Sequence, residues 1–530
     1  MKIYNKITVL AACALALSAC VNLDTAPLGS TITTEQKKEV LNSDPSKISA
    51  GVSGIAAMFS QRFGGLGSGN EYHSDFGYGS IMLFTDCRGT DMIHPDTGYN
   101  WFSAAGELSD HVYSYGQTLM FWNDLYQQIY SANLVAAGID PETEDPLAAF
   151  YLAQALSMRA FDYFTLAQLY QFTYKGHENS PCVPLILDTN AQQCAEEGAE
   201  RATVQTVYDQ ILADLDKSVE LLTGNVTSRD DKRYVDLATV YGLRARVNLV
   251  MQNWSEAASD AQAAISASSA TPLSQKEATG PGFTKSNLHN WMWAIVIAET
   301  DPVVLSGIVN WISHMGSFNY GYASVGAYRL CSKLLYNNIP ASDVRKTWWL
   351  DEKGGNSVLT ADQLAYLKAN KFPAYTQVKF DAYNSVLGQA TNANDIPLMR
   401  IEEMYLIDAE ATAMAGNPAS GASKLQEFVQ TYRDSKYTCK ASTAAEVQDA
   451  VWNQRRIELW GEGISYFDIL RLEKGIDRRG TGFEPQWVFN VSPDDPYMIY
   501  CLPKSEIEGN PKLSDSDNNA PGEAPKPVQE

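Results

Sequence analysis

Ile396-Pro397-Leu398-Met399-Arg400-Ile401-Glu402-Glu403-Met404-Tyr405-Leu406, running on to Ala409-Glu410-Ala411, sets charged side chains into an otherwise apolar stretch. Apolar and small residues recur at i, i+3, i+4 and i+7 from Pro397 to Arg433, which is the amphipathic helical period. Gly416-Asn417-Pro418 breaks the run into two helices. Arg400 and Glu402 therefore fall among apolar neighbours, where charge survives burial only when paired and hydrogen-bonded. The pattern returns downstream with Arg455, Arg456, Glu458, Glu462 and Asp468, in and just past a helix predicted from Ala444 to Leu459. We read these charges as one polar network that locks helix pairs, with a ligand site as the alternative. The stretch predicts a mostly α fold whose core is stitched by ion pairs.

Working outward, three more helical blocks share the period: Phe121 to Ala137, Ala148 to Tyr170, and Thr203 to Ile265 with a loop around Gly224 to Asp231. In the last, Ala245, Trp254, Ala257 and Ala264 are spaced like the helix-turn-helix of a tetratricopeptide repeat, whose small residues let paired helices approach closely. Ala409, Gly416 and Gly421 keep a looser version. The expectation is stacked helix hairpins, ordinary antiparallel pairs being the alternative. Between the blocks, 64–109 and 266–397 are rich in Gly, Asn, Ser and aromatics without sustained period, and loops that long are expected to carry function.

The chain begins with a basic Lys2 and Lys6, then a short apolar run to Ala19 and Cys20. That run is too short to span a bilayer but suits an export signal. Leu17-Ser18-Ala19-Cys20 resembles the lipobox of bacterial lipoproteins, which implies cleavage after residue 19 and a lipid anchor on Cys20. The expected layout is a signal peptide at 1–19, an anchored tether at 20–45, a single domain at 46–513 and an apolar-poor, mobile tail at 514–530. The net charge of −22 argues against nucleic acid and against a basic membrane-binding face. Cys87, Cys182, Cys194, Cys331, Cys439 and Cys501 are scattered with no CxxC, so a zinc site is not expected. Cys182 and Cys194 could close a short loop; single buried thiols are the alternative.

Five segments together resemble the SusD/RagB family of lipid-anchored, outer-membrane nutrient-binding proteins. Trp122-Asn123-Asp124-Leu125-Tyr126 with Ile129 and Ala132-Asn133 is similar to one family helix. Met158-Arg159-Ala160-Phe161 with Tyr163, Leu169-Tyr170 and Val183-Pro184-Leu185 is similar to a second block. The opening stretch, Arg455-Arg456-Ile457-Glu458-Leu459 through Asp468 and Arg471, and Leu502-Pro503 through Asn510-Pro511 supply the rest, in family order. Gln454, Gly461 and Ile464 depart from the usual signature, which touches subfamily rather than membership. The resemblance implies tetratricopeptide-like helix pairs on one side and a loop-rich ligand face on the other. It implies non-catalytic glycan capture at the cell surface and delivery to a SusC-like TonB-dependent transporter. A RagB-like peptide binder and a surface-anchored glycoside hydrolase are the rival readings. Asp24 is the only acid close after Cys20, so outward orientation is inherited from the family.

The residues agree with binding rather than catalysis. No HExxH, G-x-S-x-G or P-loop pattern occurs, and no cofactor or metal is expected. Sugars present flat C–H faces that aromatic rings receive, while Asp, Asn and Arg orient hydroxyls. Candidate ligand residues are therefore Asp86, Arg88, Tyr99 and Trp101 in the first loop region and Trp311 and Tyr320 in the second. An N-terminal-region Trp in the family favours Trp101. Packing is the competing role for every Trp, and the Trp348-Trp349 pair reads as core or interface.

Overall fold

The computed structural model describes residues 45–62 and 73–529. The predicted signal peptide, Cys20 and the tether up to residue 44 lie outside the described residues. Among the described residues no helix is long and apolar enough to cross a membrane.

Eight helices stack in sequence along one side. Gly116–Ala136 packs on Pro146–Tyr170, which packs on Val204–Leu222, followed by the hairpin Leu237–Met251 and Trp254–Ala267. Trp254–Ala267 abuts Ile401–Met414, which pairs with Pro418–Tyr432. Ala444–Glu458 closes the row against Ile401–Met414. This is the tetratricopeptide-like arrangement the spacing predicts. Ala245, Ala257, Ala264 and Ala409 are all buried at the helix contacts. Gly421 shows why small residues are required there: a Cβ on it would stand 2.6 Å from the Ala409 carbonyl oxygen and 2.6 Å from Ala413 Cβ.

Local signals set the helix ends. Asp145 accepts from the Leu147 and Ala148 amides at 2.9 and 2.8 Å, and Pro146 opens the helix where its missing N–H costs nothing. Thr443 and Glu446 form a capping box at the start of Ala444–Glu458.

Two expectations change. Residues 396–400 share the helical period but form a strand, antiparallel to Trp291–Ile295. Their five side chains are all buried, as are those of the partner, so burial on both faces replaces any period. The pairing closes the base of the long excursion between the two strands. The first loop region also holds a helix, Tyr78–Arg88, all of whose eleven residues are buried. Gly77 admits it: its φ is +79°, and a Cβ there would meet the Phe59 carbonyl oxygen at 2.4 Å.

The buried charges are paired as read, but in more than one cluster, and Arg456 pairs apart with Asp91. Arg400 lies between Glu458 (2.9 Å), Glu462 (2.8 Å) and Glu402 (3.1 Å). Arg433 meets Glu402 at 3.0 Å and Glu458 at 2.7 Å, and Arg345 adds a third guanidinium at 3.2 Å from Glu458. Burial pulls the Glu458 carboxyl up, but Arg433, Arg400 and Arg345 together hold it well below its usual range. Gln454, the departure from the family signature, accepts a hydrogen bond from Arg345. A second knot joins Arg455 to Asp468 (2.7 Å) and Arg471 to Glu410 (2.6 Å).

The six cysteines are free thiols. Cys182 is buried in the strand Pro181–Pro184 while Cys194 sits in the helix Ala191–Glu197, so the short disulfide loop does not form. The segment expected as a mobile tail is instead tied to the body. Asn519 Nδ2 donates to the Tyr170 and Tyr500 carbonyls, both at 2.7 Å, and the Val528 amide donates to Val488 O at 2.8 Å. Asparagine side chains do the work that apolar contacts do elsewhere.

Candidate functional site

The loop 94–101 is organised by Asn100. Its buried amide donates to the Pro95 carbonyl and to His94 Nδ1, each at 2.8 Å, and its backbone amide donates to Thr97 O at 2.9 Å. With Asn100 turned inward, its neighbours turn outward: Tyr99 is 58% exposed and Trp101 38%. Phe102 turns in again and packs on Phe84 and His314.

Trp101 does not stand alone. Its ring stacks on His73 with centroids 4.5 Å apart and planes inclined 25°. His73 Nδ1 is hydrogen-bonded to the Tyr322 hydroxyl. Tyr322 in turn stacks on His314 at 4.4 Å and 15°, and its amide donates to Ser313 Oγ at 3.1 Å. His314 Nε2–H donates to the His73 carbonyl at 2.9 Å. Burial, with Arg329 nearby, holds His314 well below its usual range, so the ring is neutral. Two residues before Tyr322, the Tyr320 ring is 52% exposed while its backbone is pinned by Gln389 O (3.0 Å) and Asn392 Nδ2 (3.1 Å).

The structure thus gathers Trp101 and the 320–322 loop around His73, with Tyr99 and Tyr320 also presented to solvent. It does not bring the other three candidates to this face. Asp86 is buried and accepts from the Gly463 amide at 2.9 Å; burial pushes its carboxyl up to about 8. Arg88 is buried, paired with Asp110, donating to the Tyr497 carbonyl and to the Tyr466 hydroxyl. Trp311 is 2% exposed, edge-on to Phe380 at 4.8 Å. All three are packing and pairing residues, which corrects their nomination as ligand contacts. Their residue types fit a sugar site, but nothing in the sequence tells which way a side chain points. His73 and Tyr322 lie 249 residues apart, so no spacing signal could have joined them. The Trp348-Trp349 pair is buried, as read.

Residues 80–249 match a family model described as starch-binding, associating with outer membrane, and residues 320–520 match the model of the SusD family. A SusD-like protein of Formosa agariphila is 22% identical over 402 residues, which span 68% of this chain and 73% of that protein. A SusD-like carbohydrate binding protein from Bacteroides vulgatus superposes with a TM-score of 0.73 at 21% identity, over 89% of this chain and 97% of that one. A SusD superfamily protein from Bacteroides thetaiotaomicron gives 0.68 at 20% identity, over 90% and 99%. At such identities the structural likeness carries the fold alone.

Proposed function

Since this chain belongs to the SusD/RagB family, we propose that it captures a nutrient glycan at the outer membrane and passes it to a SusC-like TonB-dependent transporter. Family members are substrate-binding, non-catalytic proteins associated with that membrane. In this reading Cys20 carries the lipid that holds the protein on the cell surface. The observation that carries the proposal is the exposed Trp101 ring, backed by His73 and flanked in its loop by Tyr99.

The physics of such a platform is simple. A rigid aromatic face accepts the C–H face of a pyranose and loses little side-chain freedom on binding. Water leaves both apolar surfaces, and the rim supplies hydrogen bonds to the hydroxyls that remain. The net charge of −22 favours solubility at the end of such a tether.

The test is calorimetric titration of the protein lacking residues 1–20 with plant and host oligosaccharides and with a mixed peptide digest, followed by chromatography of each mixture. Saturable glycan binding without new products supports capture. Binding of peptides alone moves the protein to the peptide-uptake branch, and released products make it a hydrolase.

A further inference from the structure

We propose that a small cavity beside the start of the helix Pro146–Tyr170 is a second binding site, for a sugar unit that carries a free, protonated amine. The cavity holds about 120 Å3 and lies between that helix, the helix Ser49–Met58 and the loop 227–234. It shares no residue with the Trp101 platform and works independently of it.

The apolar wall is aromatic. Phe150 is buried, and Tyr151 and Tyr234 are half-buried beside it. The Phe150 centroid lies 5.9 Å from Tyr151 and 6.5 Å from Tyr234, with planes inclined 59° and 62°. Rings so inclined form a corner rather than one flat face. An aromatic face carries partial negative charge, and several faces set around one space attract an ammonium group.

The rim supplies the charge that completes such a site. Ser228 and Asp230 line the cavity and are exposed. Asp230 belongs to the run Arg229-Asp230-Asp231-Lys232-Arg233, and the other members are already engaged. Arg229 pairs with Asp236 at 2.7 Å and donates to the Tyr234 carbonyl at 2.9 Å. Asp231 pairs with Arg233 at 2.9 Å, and Lys232 Nζ donates to the Leu288 carbonyl at 2.7 Å. Asp230 forms no hydrogen bond or ion pair among the described residues. Within this run, the carboxylate left for a ligand is the one that faces the three rings' cavity.

The loop that carries Asp230 is fixed before a ligand arrives. Asn225 Nδ2 and Thr227 Oγ1 donate to the Pro146 carbonyl at 2.8 and 3.2 Å. Gln154 exchanges two hydrogen bonds with the Val235 backbone, at 2.9 and 2.8 Å. The Tyr234 hydroxyl is hydrogen-bonded to Ser53 Oγ at 3.0 Å, which joins the loop to Ser49–Met58. A site held in this way loses little entropy on binding. One water needs about 10–15 Å3 of such space, so the cavity has room for a ring. The aromatic corner receives the C–H face of a pyranose, Ser228 meets a hydroxyl, and Asp230 pairs with the ammonium. The same carboxylate repels an acidic sugar. Acetylating the amine removes the charge that Asp230 and the rings select.

The experiment titrates the protein lacking residues 1–20 with glucosamine, N-acetylglucosamine and glucose by ligand-detected NMR, at a mildly acidic pH that keeps the amine protonated. Asp230→Asn, Tyr151→Leu and Trp101→Ala are titrated in parallel, and each is checked by thermal melting. Glucosamine is expected to bind saturably and about tenfold more tightly than the two neutral sugars. Asp230 is exposed, so Asp230→Asn is expected to keep the melting temperature and lose that preference. Tyr151→Leu keeps apolar bulk without the ring and is expected to weaken glucosamine binding. Trp101→Ala is expected to bind glucosamine as the parent does. Equal affinity for the three sugars, no glucosamine binding, or a preference that survives Asp230→Asn overturns the second site. Glucosamine binding lost in Trp101→Ala and kept in Asp230→Asn places the amine at the platform; that also overturns the second site and leaves the capture reading standing.

Discussion

Arg456 reaches Asp91 through Nη2 at 2.5 Å and Nε at 2.9 Å, and its guanidinium lies 4.8 Å over the Trp452 ring. Asp91 is buried and also accepts from Ser465. Removing one partner of such a pair leaves a buried charge unpaid, a loss of about 3 kcal/mol. Arg456→Ala is expected to lower the melting temperature while ligand affinity measured below that temperature stays as in the parent; a normal melting temperature with lost binding contradicts the structural role. Asp86 predicts a pH effect of the opposite kind. Burial raises its folded-state value to about 8 from 3.8, the Gly463 amide offsetting only part. A carboxyl raised on folding binds its proton longer in the folded state, so stability falls as pH rises from the unfolded value through about 8. Asp86→Asn cannot ionise and keeps an acceptor for Gly463. Its melting temperature is expected to gain on the parent between about pH 5 and about pH 8.5; a constant difference across that range contradicts the assignment. At this scale the sequence was legible for charges inside helices, because a charge amid apolar neighbours must be paired. It was not legible for Asp86, Arg88 or Trp311, whose types suit a surface site as well as they suit the core.

The helix pairs follow from small residues at their contacts. Gly421 faces Ala409 and Ala413 with no room for a Cβ. Gly421→Val is expected to force Pro418–Tyr432 away from Ile401–Met414 and to cost about 1–3 kcal/mol, read by denaturant unfolding. An unchanged midpoint contradicts the close-packed hairpin. Elements exposed on one face were readable: Val204–Leu222 buries Val207, Ile211 and Leu215 and leaves its other side to solvent. Two short elements buried all round were not. Tyr78–Arg88 has no polar face to set a period, and Ile396–Arg400 could not be told from the helix that follows it without its partner strand. Those buried elements position the candidate site: Phe84, on the first, packs under Phe102, the residue after Trp101.

As a whole, the molecule sets a row of helix pairs on one side and gathers its exposed aromatic loops around residues 99–101 and 320–322. The architecture was legible because several weak motifs occur together and in order. The course of the C-terminal segment was not, since hydrogen bonds that Asn518 and Asn519 make to the body leave no apolar trace in the sequence. Division of labour is the central claim: buried charges hold the fold, and an exposed aromatic platform binds. The most direct test is a paired titration of the parent and Trp101→Ala with one glycan the parent binds, alongside their melting curves. The account predicts at least about tenfold weaker binding in Trp101→Ala at an unchanged melting temperature. Equal affinity in the two proteins would contradict it.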